Sequence, residues 1–223
     1  MFYKVNGDNL KALRSILKEV KEELTQKYEV RENAKQNMRK ATSLSKQSIL
    51  LLHQKKYEKA KHSIEKSKEM ISKLRCLAEK HPYIIYSGMF SSVLQEYSEA
   101  SIFQGLIKED RFVMPNEINV PAVDYVLGLA DVIGEYRRLV LDVLREGDAE
   151  KGEACLQTMD EIFMALMAMD EAYMLVPGLR RKCDVARRII ETTRGDITQE
   201  LRRKALENYL KQFEKSQRKS RYR

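Results

Sequence analysis

The sequence contains little proline and glycine and no tryptophan: 4 prolines and 9 glycines are spread over 223 residues. A β-sandwich needs many turn-forming residues, and a disordered chain is poor in hydrophobic ones, so this composition disfavours both. Hydrophobic residues make up 43% of the chain and charged residues 33%. The chain can therefore bury one sizeable core, and we expect that core to be built from helices.

The three cysteines, Cys76, Cys155 and Cys183, are too few and too far apart for a disulfide framework or a zinc site. Reduced thiols fit a reducing compartment. The longest apolar run covers residues 162–169 and is ended by Asp170, well short of a membrane span. We therefore expect a soluble, cytoplasmic protein with no membrane partner.

The formal net charge of +8 is distributed very unevenly along the chain. Residues 1–88 carry a net charge of +10, residues 89–175 carry −11, and residues 176–223 carry +9. Basic segments attract phosphate backbones, whereas an acidic centre would repel the same partner unless a cation were bound there. Solvated helix faces that happen to cluster explain the pattern equally well.

Apolar residues recur at spacings of three and four, which predicts an all-α, single-domain bundle of about seven helices. A heptad seam from Leu10 to Leu24 predicts a first helix that packs on a partner. Further helices are predicted over residues 29–53, 57–80, 84–107, 121–145, 148–175 and 178–194, followed by an amphipathic segment over residues 201–213. We assign residues 1–215 to the domain and residues 216–223 to a flexible basic tail.

Two pairs of carboxylates in the acidic middle of the chain stand at helical spacings. Glu96 and Glu99 are three residues apart at the edge of an apolar face, and Asp131 and Glu135 are four apart on the next long helix. Leucines flank the second pair, so we expect protein to cover it. Two such carboxylates held ~5 Å apart repel each other by about 3 kcal/mol at an effective dielectric of roughly 20.

A divalent cation would remove that repulsion, and ligand sets made only of oxygen suit Mg²⁺ or Mn²⁺. Surface charge, or salt bridges to Arg137 and Arg138, explains the same pattern without a metal. The spacing of the carboxylates leaves these interpretations open.

Two strings in this region resemble the signature of the translin family, and specifically its translin-associated factor X branch. They are LQEYSEASIFQGLIK, residues 94–108, and PAVDYVLGLADVIGEYRR, residues 121–138. Weaker similarities extend the resemblance over about residues 29–197. The loop after Lys108 is shorter than in the eukaryotic branch, and the long basic N-terminal extension is absent, so the chain resembles a compact prokaryotic or archaeal member.

The resemblance implies a helical bundle that assembles into a closed octameric shell and binds single-stranded RNA, or single-stranded DNA, within it. The shell would be a homo-oligomer or would include a translin-family paralogue. In the branch named above, acidic residues on two helices bind Mg²⁺ and cleave RNA as an endoribonuclease. That metal-binding and catalytic set corresponds here to Glu96, Glu99, Asp131 and Glu135.

Basic residues on two predicted helices are candidates for contact with nucleic acid. Arg39 and Lys46 share a helix face and are seven residues apart, which suits a phosphate backbone. The densest basic patch consists of Arg180, Arg181, Lys182, Arg187 and Arg188. Solvated charge, or salt bridges between subunits, explains these residues about as well.

The sequence is compatible with three functions. The first is a Mg²⁺-dependent endoribonuclease, which the presence of all four acids favours. The second is a non-catalytic, translin-like protein that binds single-stranded RNA or DNA. The third, a helical scaffold with no nucleic-acid role, is disfavoured by the basic flanks. His53, which follows three leucines, is expected to be a hydrogen-bonded residue in or bordering the interior rather than a catalytic base.

Overall fold

The computed structural model describes residues 7–84 and 88–221, and within them it contains helices and no strand. The all-α prediction is therefore confirmed. The elements are α1 (Gly7–His53), α2 (Tyr57–Lys80), a 3₁₀ turn (Pro82–Ile84), α3 (Gly88–Glu109), α4 (Pro115–Ile118), α5 (Ala122–Arg145), α6 (Ala149–Met167), α7 (Glu171–Met174) and α8 (Leu179–Arg221). Among the described helices, none is long and apolar enough to cross a bilayer.

Three predicted boundaries are wrong. The first two predicted helices form the single helix α1, because the residues between them include neither proline nor glycine. Helix α8 continues through Gly195, since one glycine costs a helix only about 1 kcal/mol and the flanking Ile190 and Ile197 are both buried. Helix α6 stops at Met167, where the chain turns through Asp170 with a φ of 46° before the short helix α7.

Helix α5 lies at the centre of the bundle and packs against α3, α6 and α8. Its Val132, Ile133 and Val140 are fully buried in the larger of two apolar cores. The smaller core lies where α1, α2 and α3 meet, around Met38 and Leu74. Both long carboxylate-bearing helices, α3 and α5, therefore sit inside the bundle and are held on more than one side.

The crossing of α3 and α5 depends on Gly128. A Cβ atom at this position would lie 2.7 Å from both the carbonyl oxygen of Gln95 and the Cβ of Ser98. Because no real Cβ tolerates such distances, only glycine allows the two helix backbones to approach this closely. Asp131 follows Gly128 by one turn on α5, and Glu99 follows Ser98 on α3, so the close approach sets the separation of the two acidic pairs.

Both ends of the described chain project from the bundle as exposed helices. Residues 7–29 of α1 are exposed throughout, including the heptad leucines, and residues 201–217 of α8 are exposed as well. Helix α8 extends to Arg221, into the segment predicted to be a flexible tail, whose flexibility stays a prediction. Tyr86, which belongs to the helix predicted over residues 84–107, lies outside the described residues.

We expect Gly128→Ala to lower the free energy of unfolding by about 1–3 kcal/mol, because the added methyl group collides with backbone atoms of α3. Gly134→Ala is the matched control on the same helix, since nothing lies within 4 Å of a Cβ at that position. That control should be stabilised by up to about 1 kcal/mol. Chemical denaturation of both variants measures the difference, and equal stability of the two would contradict the proposed close packing.

Candidate functional site

The four predicted acids come together at the crossing of α3 and α5. Glu96, Glu99 and Glu135 line one cavity of about 360 Å³. Asp131 lines a neighbouring cavity of about 210 Å³, one turn further back on α5. The charges of Glu96, Asp131 and Glu135 all act on the Glu99 carboxyl group, so the two pairs lie close together although they are more than 30 residues apart in the sequence.

Glu99 is the buried member of the set, with 9% of its surface exposed. Its burial, followed by the negative charges of Asp131, Glu135 and Glu96, raises the pKa of the Glu99 carboxyl from 4.5 to about 8, against the opposing effect of Lys182. At neutral pH and without a bound cation, the carboxyl group is therefore mostly protonated. A cation that binds Glu99 has to displace that proton, so its affinity should rise with pH.

Each of the other three acids is paired with a basic side chain. Lys46 Nζ lies 3.1 Å from Glu96 Oε1. His53 Nε2 lies 2.6 Å from Glu135 Oε2. Lys182 Nζ donates to Oδ1 of Asp131 at 2.6 Å and contacts Oδ2 as well.

These partners differ from the arginines that the sequence suggested. Arg137 is paired with Asp196 on α8, at 2.6 Å, and does not neutralise the acidic cluster. Arg138 lines the larger cavity beside Glu96 and Glu99. The prediction that basic side chains pair with these acids is thus confirmed, but the prediction that Arg137 is one of them is wrong.

The donor set fits a hard divalent cation, because it consists of carboxylate oxygens, and a cation would stabilise the ionised form of the one carboxyl group whose pKa is raised by burial and by its acidic neighbours. Within residues 7–84 and 88–221, no three acidic, histidine or cysteine side chains are arranged so that they could hold a metal ion as they stand. Three of the acids are instead turned toward their basic partners. Binding of a metal would require at least the two lysines to move.

The predicted nucleic-acid contacts separate into two groups in the structure. Lys46 and Lys182 lie at the acidic site itself, and Arg181 lines the smaller cavity beside Asp131. The remaining candidates are exposed on the surface of α1 and α8: Arg39, Arg180, Arg187 and Arg188. Arg187 lies over the ring of Phe163, 5.7 Å from its centroid.

His53 is a hydrogen-bonded interior residue, as the sequence predicted, with 3% of its side chain exposed. Its partner could not be predicted, because His53 and Glu135 are 82 residues apart and no local spacing connects them. The sequence suggests Arg138 only as a salt-bridge partner and does not predict its place at the cavity. The signal that existed for Arg138 was its position three residues after Glu135.

The raised pKa of Glu99 predicts a specific pH dependence of stability. The unfolded chain loses this proton near pH 4.5 and the folded chain near pH 8, so the folded state is destabilised as pH rises between these values. Glu99→Gln cannot titrate, so it escapes this loss of stability. In EDTA, we therefore expect the melting temperature of the variant to rise relative to that of the wild type between pH 5 and pH 8. Thermal unfolding at several pH values measures it, and a constant difference would contradict the burial of an ionisable Glu99.

Comparison with known proteins places this chain in a family. The sequence model that describes the translin family matches residues 29–192 of this chain. An uncharacterised protein of Methanocaldococcus jannaschii is 32% identical over 155 residues, which cover 69% of this chain and 68% of that protein.

Solved structures share the fold. The AfC3PO structure in complex with duplex RNA has 31% sequence identity and a TM-score of 0.71, covering 82% of this chain and 95% of that one. A crystal structure of AfC3PO alone has 31% identity and a TM-score of 0.69, covering 82% and 96% of the two chains. The crystal structure of apo-NeC3PO, at 24% identity and a TM-score of 0.73, covers 82% and 96% and is similar in fold. The protein described here belongs to the translin family.

Proposed function

We propose that this protein is a divalent-metal-dependent endoribonuclease of the translin-associated factor X type, which binds and cleaves single-stranded RNA. The observation that carries the proposal is the burial of Glu99 among three further carboxylates. A bundle that needed Glu99 only for solubility would leave it in water, because burying a carboxyl group beside three other acids is costly. A site that retains them at this cost has a use for a cation.

The chain's own residues have distinct roles in this proposal. Glu96, Glu99, Asp131 and Glu135 would hold Mg²⁺ or Mn²⁺. The bound cation would supply a Lewis acid for the phosphodiester and lower the pKa of water near it. Lys46, Lys182 and Arg138, which border the cavities, are placed to bind phosphate oxygens once the lysines leave their carboxylate partners.

Binding of RNA is supported by the similarity to AfC3PO, whose structure contains duplex RNA. We propose a preference for single strands here, of RNA and also of DNA, because the basic side chains around the cavities surround a recess rather than a flat face. Arg39 and the exposed arginines of α8 would extend the path of the strand. A duplex of the same sequence is the natural comparison in any binding assay.

Assembly into an oligomeric shell, with an octamer of identical chains or a mixture with a paralogue, is part of the same proposal. The exposed heptad stripe of α1, with Leu10, Leu17 and Leu24 each more than 40% exposed, supports association. A monomer rarely leaves such a continuous apolar stripe in water.

A non-catalytic RNA-binding protein is the second candidate, and one observation favours it. Lys46 and Lys182 already neutralise two of the acids, so the cluster is partly satisfied as a set of ion pairs. In that case Mg²⁺ would be unnecessary, and the acids would only hold the helices in register. The effect of a chelator on cleavage separates the two candidates.

The central experiment is incubation of the purified protein with a labelled single-stranded RNA in Mg²⁺ or in EDTA. We expect cleavage only with the metal. Asp131→Asn should reduce the rate by more than about 100-fold, since even the loss of a partner outside the ligand shell typically costs about 10–100-fold. Asp142→Asn, the same change on the same helix outside the cluster, should cleave normally, and equal rates for both variants would refute the assignment.

Binding should depend on salt through Arg138 and Arg181, which flank the two cavities. Replacing both with Gln should flatten the slope of log K against log salt by about 1.4 units for a single strand, at about 0.7 per phosphate contact. Arg14→Gln with Lys18→Gln removes the same charge from the exposed part of α1 and serves as the control. If the two double variants change the slope equally, contact at the cavities is excluded.

A further inference from the structure

Three basic side chains pair with the acidic cluster: Lys46, His53 and Lys182. Of these three, only His53 is held rigidly by the bundle. The side chains of Lys46 and Lys182 are 62% and 26% exposed, whereas that of His53 is 3% exposed. Lysine has a long, flexible chain that moves readily when a competing cation arrives. The imidazole of His53 has no comparable freedom.

The end of α1 fixes the backbone of His53. Lys56 donates its backbone N–H to the carbonyl of Leu51, and Lys55 donates to Leu52, which together form a Schellman turn directly after His53. Lys55 occupies the left-handed position of this turn with a φ of 60°, where glycine is usual. The helix therefore ends at a defined residue, with His53 in its last helical position.

Aromatic packing fixes the ring of His53. Its centroid lies 5.1 Å from that of Phe103, which is fully buried and in turn contacts Tyr136 edge-on at 6.0 Å. The Nδ1 atom is buried and has no hydrogen-bond partner among the described residues. The polar contact that orients the ring is thus the one from Nε2 to Glu135.

This contact leaves one oxygen of Glu135 for another ligand. A carboxylate oxygen only accepts, so the contact with Oε2 requires the tautomer of His53 that carries its hydrogen on Nε2. Oε1 receives no hydrogen bond from the part of the chain that the structure describes. Glu135 also lines the cavity that contains Glu96 and Glu99. Outer-shell hydrogen bonds of this kind orient ligating carboxylates and set metal affinity.

We infer that His53 is a positioning residue, which holds Glu135 through Nε2 so that Oε1 faces the cation of the acidic site. This inference rests on the proposed function, because it assigns a role within that metal site. A bound divalent cation would take the place of the two lysines, whereas His53 would stay, since its N–H supports one oxygen of the carboxylate and leaves the other oxygen free.

Two substitutions at His53 separate positioning from packing. The Nε2 atom of glutamine is the same number of bonds from the backbone as Nε2 of histidine, so His53→Gln can still donate to Glu135. The amide nitrogen of asparagine matches Nδ1 instead, so His53→Asn cannot reach it. His53→Ala removes the ring entirely, and His62→Ala, at an exposed site on α2, is the histidine control.

The test measures Mn²⁺ binding by electron paramagnetic resonance of the full chain without RNA, together with the Mn²⁺ dependence of cleavage. We expect His53→Ala and His53→Asn to bind Mn²⁺ about 10–100-fold more weakly, and to need correspondingly more metal for cleavage. His53→Gln and His62→Ala should stay close to the wild type. Circular dichroism checks the fold, and if His53→Ala does not fold, the comparison of Gln with Asn decides the question.

The outcomes are distinguishable. If the wild type binds Mn²⁺ and cleaves RNA while His53→Asn binds Mn²⁺ equally well, the positioning role is wrong and the proposed function stands. Equal weakening by Gln and Asn would overturn the role too, because it would point to packing of the ring. A wild type that neither binds Mn²⁺ nor cleaves RNA would overturn the proposed function and this inference together.

Discussion

The burial of the Glu99 carboxyl group beside three other acids is the constraint to which the rest of the site responds. It follows from the close crossing of α3 and α5, which glycine at position 128 permits. Had the helices stayed at an ordinary separation, water would enter between them and the acids would ionise independently. The close approach of α3 and α5 at Gly128 therefore has two results: tight packing of the two helices and a raised pKa of the Glu99 carboxyl group.

The bundle offsets the resulting repulsion in two physically different ways. Lysines reach the cluster from α1 and α8 on long side chains, and their pairing with carboxylates is easily exchanged for another cation. The histidine at the end of α1 supplies a hydrogen bond from a fixed ring. The first kind of contact neutralises charge, and the second determines geometry, so losing each should have a different effect.

Much of the site could be predicted because its acids lie within two continuous helices. Regular spacing places Glu96 beside Glu99, and Asp131 beside Glu135, without any knowledge of the fold. The partners of these acids could not be predicted, since Lys182 is 51 residues from Asp131 and His53 is 82 residues from Glu135. Such pairs depend on how the helices pack, and the same is true of Arg137, whose partner Asp196 lies on α8. The continuity of α1 could not be predicted from apolar spacing, because the heptad seam stops at Leu24 and the next apolar pattern begins after residue 29; only the absence of a helix breaker between them indicated one helix.

The exposed first part of α1 has a geometric consequence. Residues 7–29 would span roughly 34 Å at the rise of an α-helix, and they lie almost entirely before the segment that matches the family, residues 29–192. Because this part is continuous with the packed half of the same helix, it cannot fold back onto its own bundle without a break in the backbone hydrogen bonding. Within the part of the chain that the structure describes, Leu10 and Leu17 at the far end of this segment therefore stay exposed to water, whereas Leu24, nearer the bundle, borders a cavity that core residues also line.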